Sequence, residues 1–532
     1  KKTDEQLLRI NNLRWLPWIG KNYSASQTKL MVLGESHYLC AGDSPDEYGI
    51  DFTRSFIGMH QNGEEGTNVI RNFEKTLLNR DYDEELDDLH EPTGCIEEAQ
   101  DLAAALYGAD AAFFAVNGTT GAIHAMLVAA LSPGDAVLVP RNVHRSVFGG
   151  LVLADAHPIY IEPIVDEALG IAHGLSTEAV REACRLHPEA KALLLVSPTY
   201  YGVASDVRAI AEIVHEAGMA LLVDEAHGAH LAFSDDLPES AIAAGADLVA
   251  QSTHKLLGAM TQASLLLLRE GRIEKERVQR AMSLLTSTSP NYLLLASLDI
   301  ARLQMAEVGA AHLARAVGLA WKLRREVNAT PGLFSFGEER MGGAGAFALD
   351  PLKLTVTVTG LGLTGAEAAH ILRHEHKIEA ELFDAQNVLF LLTYADTEES
   401  AGRLLAALRS LAQRRTAQAA TAAAAAGAVP DGRKAQAAVR LPAAPPVAIR
   451  PREAFYRRSV PCRLREAAGR IAAETIAFYP PGIPVICTGE VFTAEVCRYI
   501  EAMAAAGLKV TGAADASLRT LRVVADDVEQ EE

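Results

Sequence analysis

The sequence predicts an α/β protein built on a mostly parallel sheet of seven strands, with smaller α+β domains toward its C-terminal side. Three observations carry this. Apolar runs of about five residues recur between residues 111 and 268, and segments of helical periodicity separate many of them. The runs are also near-continuous in Val, Leu and Ile instead of alternating with polar residues. A strand without alternation is buried on both faces, which is the condition of a parallel sheet covered by helices.

The elements follow in order. CIEEAQDLAAALYG (95–108) reads as an amphipathic helix, AAFFAV (111–116) as a strand and GAIHAMLVAALS (121–132) as a helix. The strands AVLVP (136–140), PIYIE (158–162), ALLLV (192–196), ALLVD (220–224) and DLVAQ (247–251) come next. DVRAIAEIVHEAG (206–218) is a helix closed by Gly218. ASLLLL (263–268) follows DLVAQ after only a short helical turn, so it is expected to run antiparallel. These elements fall in a major domain over 83–290. Residues 291–414 mix helices with strands such as KLTVTVTG and VLFLLTY, and read as a small α+β domain. Residues 415–450 are rich in Ala and Pro, the composition of a poorly ordered linker. Residues 451–532 form a further compact domain, with IPVICTG and KVTGA as strands. Residues 1–82 are an atypical N-terminal segment, the mark of a fusion or a misjoined gene.

Composition narrows the function classes. A net charge of −19 disfavours a nucleic-acid backbone and suits a cationic small molecule. Six cysteines lie scattered with no CxxC spacing, which predicts reduced thiols and no metal site. No apolar run approaches the ~18 residues of a membrane span, and the N-terminus has no signal-peptide core. The protein is therefore expected in the cytoplasm, with no membrane partner.

Four features then fall on the carboxyl side of predicted strands, where open α/β sheets bind ligands. NGTTGA (117–122) opens a helix after AAFFAV. Its small residues let the backbone of Gly118, Thr119 and Thr120 close on a phosphate; the alternative is an ordinary strand-to-helix turn. DEAHGAH (224–230) places Asp224 at a strand end beside His227, as a carboxylate for a protonated ring nitrogen or as a helix cap. QSTHK (251–255) places Lys255 after a strand, flanked by Ser252 and His254. An ammonium between apolar stretches is paired, exposed or used chemically. PRNVHRS (140–146) puts His144 where an imidazole can lie on an aromatic ligand. A phosphate cradle, a stacking ring, a carboxylate and a nucleophilic lysine are together what pyridoxal 5'-phosphate requires.

The stretches DDLHEPTGCIEEAQDLAAALYGAD, FFAVNGTTGAIHAM, PRNVHRSVFGG, VSPTYYGVASD, LLVDEAHGAHLAF, QSTHKLLGAMTQAS and TSTSPNYLLLASLDIAR resemble the major domain of the bacterial ornithine/lysine/arginine decarboxylases. PREAFYRRSVPCRLREAAGRIAAETIAFYPPGIPVICTGE resembles their C-terminal domain. The likeness runs from about residue 83 onward and is nearest the short, arginine-decarboxylase-like form. It implies the aspartate-aminotransferase fold, fold type I, and decarboxylation of arginine, lysine or ornithine to the amine and carbon dioxide. It further implies Lys255 as the Schiff-base lysine, Asp224 as partner of the pyridine nitrogen and His144 stacked on the ring. Gly118, Thr119 and Thr120 would hold the phosphate with Ser252 and His254, and His227 would sit near the ring oxygen and the substrate carboxylate. The Thr286–Pro290 segment, including Ser287, would reach a neighbouring subunit's phosphate, in a homodimer or larger homo-oligomer. Two departures stand out. The family's histidine at or near Leu267 is apolar here, and residues 1–82 lack the family's N-terminal arm. Within that segment KLMVLGESHY resembles the opening motif of the uracil-DNA-glycosylase superfamily. Another reaction on the same cofactor, such as transamination, or a non-catalytic or impaired paralogue are the alternatives.

Overall fold

The computed structural model describes residues 88–426, 442–479, 484–505 and 509–526, all within one unit spanning Asp87–Glu532. The expectations for residues 1–82, the GESHY motif included, lie outside the described residues.

Strands β1 (Ala111–Ala115), β2 (Ala136–Pro140), β3 (His157–Ile161), β4 (Ala192–Val196), β5 (Ala220–Asp224), β6 (Leu248–Gln251) and β7 (Ser264–Leu268) form one sheet in the order β1-β7-β6-β5-β4-β2-β3. Strands β6, β5, β4, β2 and β3 pair in parallel. β7 is antiparallel to both β1 and β6, because its link from β6 holds only a single helical turn and cannot make a crossover. Burial on both faces explains the unbroken apolar runs. Phe114, Leu193, Leu195, Leu221, Val223 and Leu267 pack into one core, and Phe113, Leu194, Leu222 and Leu266 into the other. Leu267 is fully buried, so its apolar side chain suits the strand it occupies.

Helices α1 (Gly94–Tyr107), α2 (Gly118–Ala130), α3 (Arg145–Ala154), α4 (Thr177–Leu186), α5 (Val207–Glu216) and α6 (Thr253–Leu256) flank the sheet. α2, α3 and α6 begin just after β1, β2 and β6, so their first turns all stand at the carboxyl edge.

The following region packs helices Ala310–Asn328, Gly365–His376 and Glu398–Ala426 against an antiparallel sheet of Lys353–Thr357, Asn387–Leu391 and Leu382–Phe383. The last helix carries on into the Ala-rich stretch expected to be poorly ordered, as far as Ala426. Alanine has the highest helix propensity, so the composition of a linker is here also that of a helix. Residues 427–441 of that stretch lie outside the described residues.

The C-terminal region forms two small sheets. One pairs Ser459–Arg463 with Thr520–Val524; the other sets Ile476–Tyr479 between Pro484–Ile486 and Lys509–Thr511. It docks on the end of β2 through Arg141, whose guanidinium meets the Glu490 carboxylate with both nitrogens and donates to the Val485 carbonyl at 3.1 Å. Both side chains are buried. Cys487 joins the core beneath the sheet.

Removing one partner of such a buried pair leaves an uncompensated charge, at a cost of about 3–5 kcal/mol. Glu490→Gln should therefore lower the thermal unfolding midpoint clearly. Arg141→Met combined with Glu490→Leu should recover most of the loss in the same scan.

Candidate active site

A cavity of about 1320 Å³ opens at the carboxyl edge of the sheet, between that edge and the C-terminal region. Its walls bring together Gly118, Thr119, Thr120, His144, Asp224, His227, Ser252, His254 and Lys255. Chain order cannot show this. It arises because β1, β2, β5 and β6 all end at the same edge.

Lys255 sits in the single turn of α6, and its Nζ lies 3.0 Å from His227 Nε2. Burial pushes its ammonium below the ordinary lysine value; Asp224 and Glu381 oppose that, and the Lys353 ammonium adds to it. Asp224 closes β5, is buried and accepts a hydrogen bond from the Ala226 amide at 3.1 Å. Burial raises its carboxyl, against the pull of Lys255. His227 is buried and held far below the usual imidazole range by desolvation, then by the charges of Lys255 and Lys353. It is therefore a neutral ring beside an amine.

His144 caps the N-terminus of α3, where its Nδ1 accepts from the Ser146 amide at 3.3 Å and lies 2.8 Å from the Ser146 hydroxyl. Desolvation, then the charges of Lys255 and Arg145, bring its pKa down to about 4. The ring is thus neutral and anchored at one edge.

At α2, Gly118 has φ +64°, a conformation that favours glycine. The Gly118 amide bonds the Gln262 carbonyl at 2.9 Å and the Gly121 amide bonds Asn117, leaving the amides of Thr119 and Thr120 for an anion at the positive end of the helix. The Thr119 hydroxyl is not available for one. It is buried and bonds the hydroxyls of Ser252 and Ser264, so Thr119 and Ser252 act as a brace joining β1, β6 and β7 at the floor. His254 lies with Nδ1 2.9 Å from the Ala263 carbonyl. Ser287 is exposed on the turn after the helix Lys275–Leu285 and does not line its own chain's cavity.

Two wall residues escaped the sequence reading. Tyr200 follows β4, and its ring centre lies 4.3 Å from that of His227 and 5.6 Å from Lys255 Nζ. Its position after a strand end, the signal that exposed Asp224 and Lys255, could have found it. Glu474 comes from the C-terminal region, and nothing in its local sequence marks it. It is the one carboxylate besides Asp224 among the described residues lining the cavity. Its two oxygens accept from the amides of Ala514, at 2.7 Å, and Arg522, at 2.8 Å.

A lysine with a depressed pKa has more free amine near neutrality than a surface lysine. Competitive acetylation of cofactor-free protein should therefore label Lys255 ahead of exposed lysines near pH 8. The advantage should vanish above about pH 10.5, where ordinary lysines also lose their proton. Equal labelling at both pH values would show that Lys255 titrates normally.

The profile of the Orn/Lys/Arg decarboxylase major domain matches residues 59–400, and that of the family's C-terminal domain matches residues 434–515. The first match reaches back beyond the boundary near residue 83 read from the sequence. The arginine decarboxylase of Bacillus subtilis is 45% identical over 83% of this chain and 88% of its own length. The constitutive ornithine decarboxylase of Escherichia coli is 27% identical over 90% of this chain and 80% of its own. Among solved structures, the lysine decarboxylase of Francisella novicida superposes with a TM-score of 0.71 at 23% identity, covering 92% of this chain and 79% of that one. It shares the fold.

Proposed function

This chain belongs to the Orn/Lys/Arg decarboxylase family, and from that membership we propose how its own residues carry the decarboxylation of a basic amino acid, with arginine as substrate and pyridoxal 5'-phosphate as cofactor. One observation carries the proposal. A single cavity holds a desolvated amine, a buried carboxylate and a pair of open helix-terminal amides. That donor set fits the cofactor's aldehyde, ring nitrogen and phosphate respectively. Bound there, pyridoxal phosphate supplies a protonated conjugated ring that accepts the electron pair left when the carboxylate departs as carbon dioxide.

The chain's residues do the rest. Lys255 would hold the cofactor through its amine. Asp224 would hold a proton on the ring nitrogen, a task suited to a buried carboxylate at a fixed strand end. The amides of Thr119 and Thr120 would hold the phosphate, with Gly118, Ser252 and His254 shaping its seat. His144, fixed by Ser146, would lie against the cofactor ring. His227 Nε2 is placed to exchange a proton with Lys255 Nζ, so the amine can deliver it to the α-carbon.

Glu474 is the carboxylate left to meet the cationic end of the substrate, and two backbone amides already fix its orientation. The exposed segment around Ser287 is assigned to a second copy of the chain, where it reaches the partner's phosphate seat. The absence of disulfides among the described cysteines suits work in the cytoplasm. No helix among the described residues is long and apolar enough to cross a membrane.

Arginine labelled in its carboxyl group should release labelled carbon dioxide, with kcat/KM above that for lysine and ornithine. Label retained in a keto acid would mean transamination instead. Asp224→Asn should keep the cofactor's visible absorbance but lose roughly two to three decades in kcat. Glu474→Gln should raise KM for arginine about tenfold with kcat within about twofold, the pattern of lost uniform binding to a charged group.

A further inference from the structure

Three ionisable side chains lie buried together just behind the cavity wall, and none of them lines the cavity. Lys353 begins the first strand of the small domain's sheet, Asp350 stands in the turn before it, and His230 closes the DEAHGAH segment. All three have essentially no exposed surface. Lys353 Nζ donates to Asp350 Oδ2 at 2.9 Å, and His230 Nε2 lies 3.1 Å from the same oxygen. The Lys353 ammonium, with His230 beside it, outweighs burial and holds the Asp350 carboxyl far below the usual carboxylate range, so the aspartate stays ionised, while burial pushes His230 toward its neutral form.

Such a group is costly to bury and is no better at filling space than apolar residues of similar volume. Its directed bonds show what it does. Lys353 Nζ also donates, at 3.0 Å, to the backbone carbonyl of His227, the residue whose ring meets Lys255. The Asp350 amide donates to the Gly202 carbonyl at 2.8 Å, on the loop that carries Tyr200. The approach there is close: a Cβ on Gly202 would stand 2.7 Å from Lys353 Cβ and 2.8 Å from the Asp350 carbonyl oxygen. Tyr200 and His227 are the two rings in contact beside Lys255. Both are thus tied, through their backbones, to one buried turn of the small domain.

We propose that Lys353, Asp350 and His230 form a positioning unit that sets His227 and Tyr200 against Lys255, so that seating of the small domain completes the catalytic wall. Lys353 acts through the His227 carbonyl and is a positioning residue. The unit rests on the decarboxylase reading for its effect on turnover, and on the placement of its groups and the charge of Lys353 for its effect on the Lys255 amine. That amine faces the charges of Asp224, Glu381 and Lys353, with His227 beside it.

The test uses Lys353→Met, the apolar replacement Lys353→Met with Asp350→Leu, and His227→Gln, each in the full chain. The apolar replacement is expected to keep a thermal midpoint near that of the unsubstituted protein, because no charge is left unpaired. Its kcat should nevertheless fall about tenfold or more, with KM for arginine within about twofold, since small displacements of a catalytic group are costly in rate. In a His227→Gln background, Lys353→Met should cause little further loss of kcat, because both changes remove the same placement. In cofactor-free protein, Lys353→Met should slow acetylation of Lys255 near pH 8, because a buried cation that disfavours the ammonium is gone. An apolar replacement with unchanged kcat, or losses from Lys353→Met and His227→Gln that simply multiply, would overturn the proposal and leave the trio a domain staple. If the apolar replacement does not fold, the His227→Gln cycle and the labelling rate decide. Absence of turnover in the unsubstituted enzyme would count against the decarboxylase reading, and the labelling rate would still report on the unit.

Discussion

The ε-amine of Lys255 is partly withdrawn from water on the cavity wall, and much of the surrounding architecture is organised around that constraint. A buried ammonium is unfavourable unless its charge is paired or surrendered. Here desolvation and the Lys353 ammonium push it toward the neutral amine, while Asp224 and Glu381 pull the other way. The result is a nucleophile without a strong base beside it, since His227 is itself held neutral. The same shortage of water makes the Asp224 carboxylate an effective partner for a ring cation, because a fixed charge acts most strongly where solvent cannot screen it.

The sheet supplies the positions. Because β1, β2, β5 and β6 share one carboxyl edge, the residues that follow them converge although they are far apart in the chain. The hydroxyl brace of Thr119, Ser252 and Ser264 fixes the ends of β1 and β6 to the start of β7 beneath the site. Two other regions bear on the cavity, and only the second lines it. The small domain ties down His227 and the Tyr200 loop through Lys353 and Asp350, and the C-terminal region, clamped at Arg141, contributes Glu474. The C-terminal region is attached through a buried ion pair and the small domain through hydrogen bonds to the His227 and Gly202 carbonyls, directed bonds that fix orientation in a way that apolar packing does not.

Residues were legible in the sequence where local chemistry and local structure coincide. Asp224 and Lys255 each follow an apolar run directly, so a strand end and a charge appear in the same five or six residues. Gly118 announces a turn that favours glycine, and the short link before ASLLLL announces its antiparallel strand. The bracing role of the Thr119 hydroxyl was not legible, because whether a hydroxyl faces a ligand or a neighbouring serine is a matter of packing. Lys353 was hidden more fully. KLTVTVTG reads as an ordinary strand, and the meaning of its lysine depends on Asp350, His230 and the His227 carbonyl, which only the fold brings near. The helix that runs into the Ala-rich stretch as far as Ala426 was not legible for a related reason, since one composition serves both a loose tether and a helix.

The central claim is that Lys255 is the lysine that holds the cofactor. Incubating the protein with pyridoxal phosphate, reducing it with borohydride and mapping the peptides by mass spectrometry tests this directly. The account predicts one stoichiometric pyridoxyl adduct, on the peptide containing QSTHK at Lys255. An adduct on a different lysine, or adducts spread over several surface lysines with Lys255 unmodified, would contradict it.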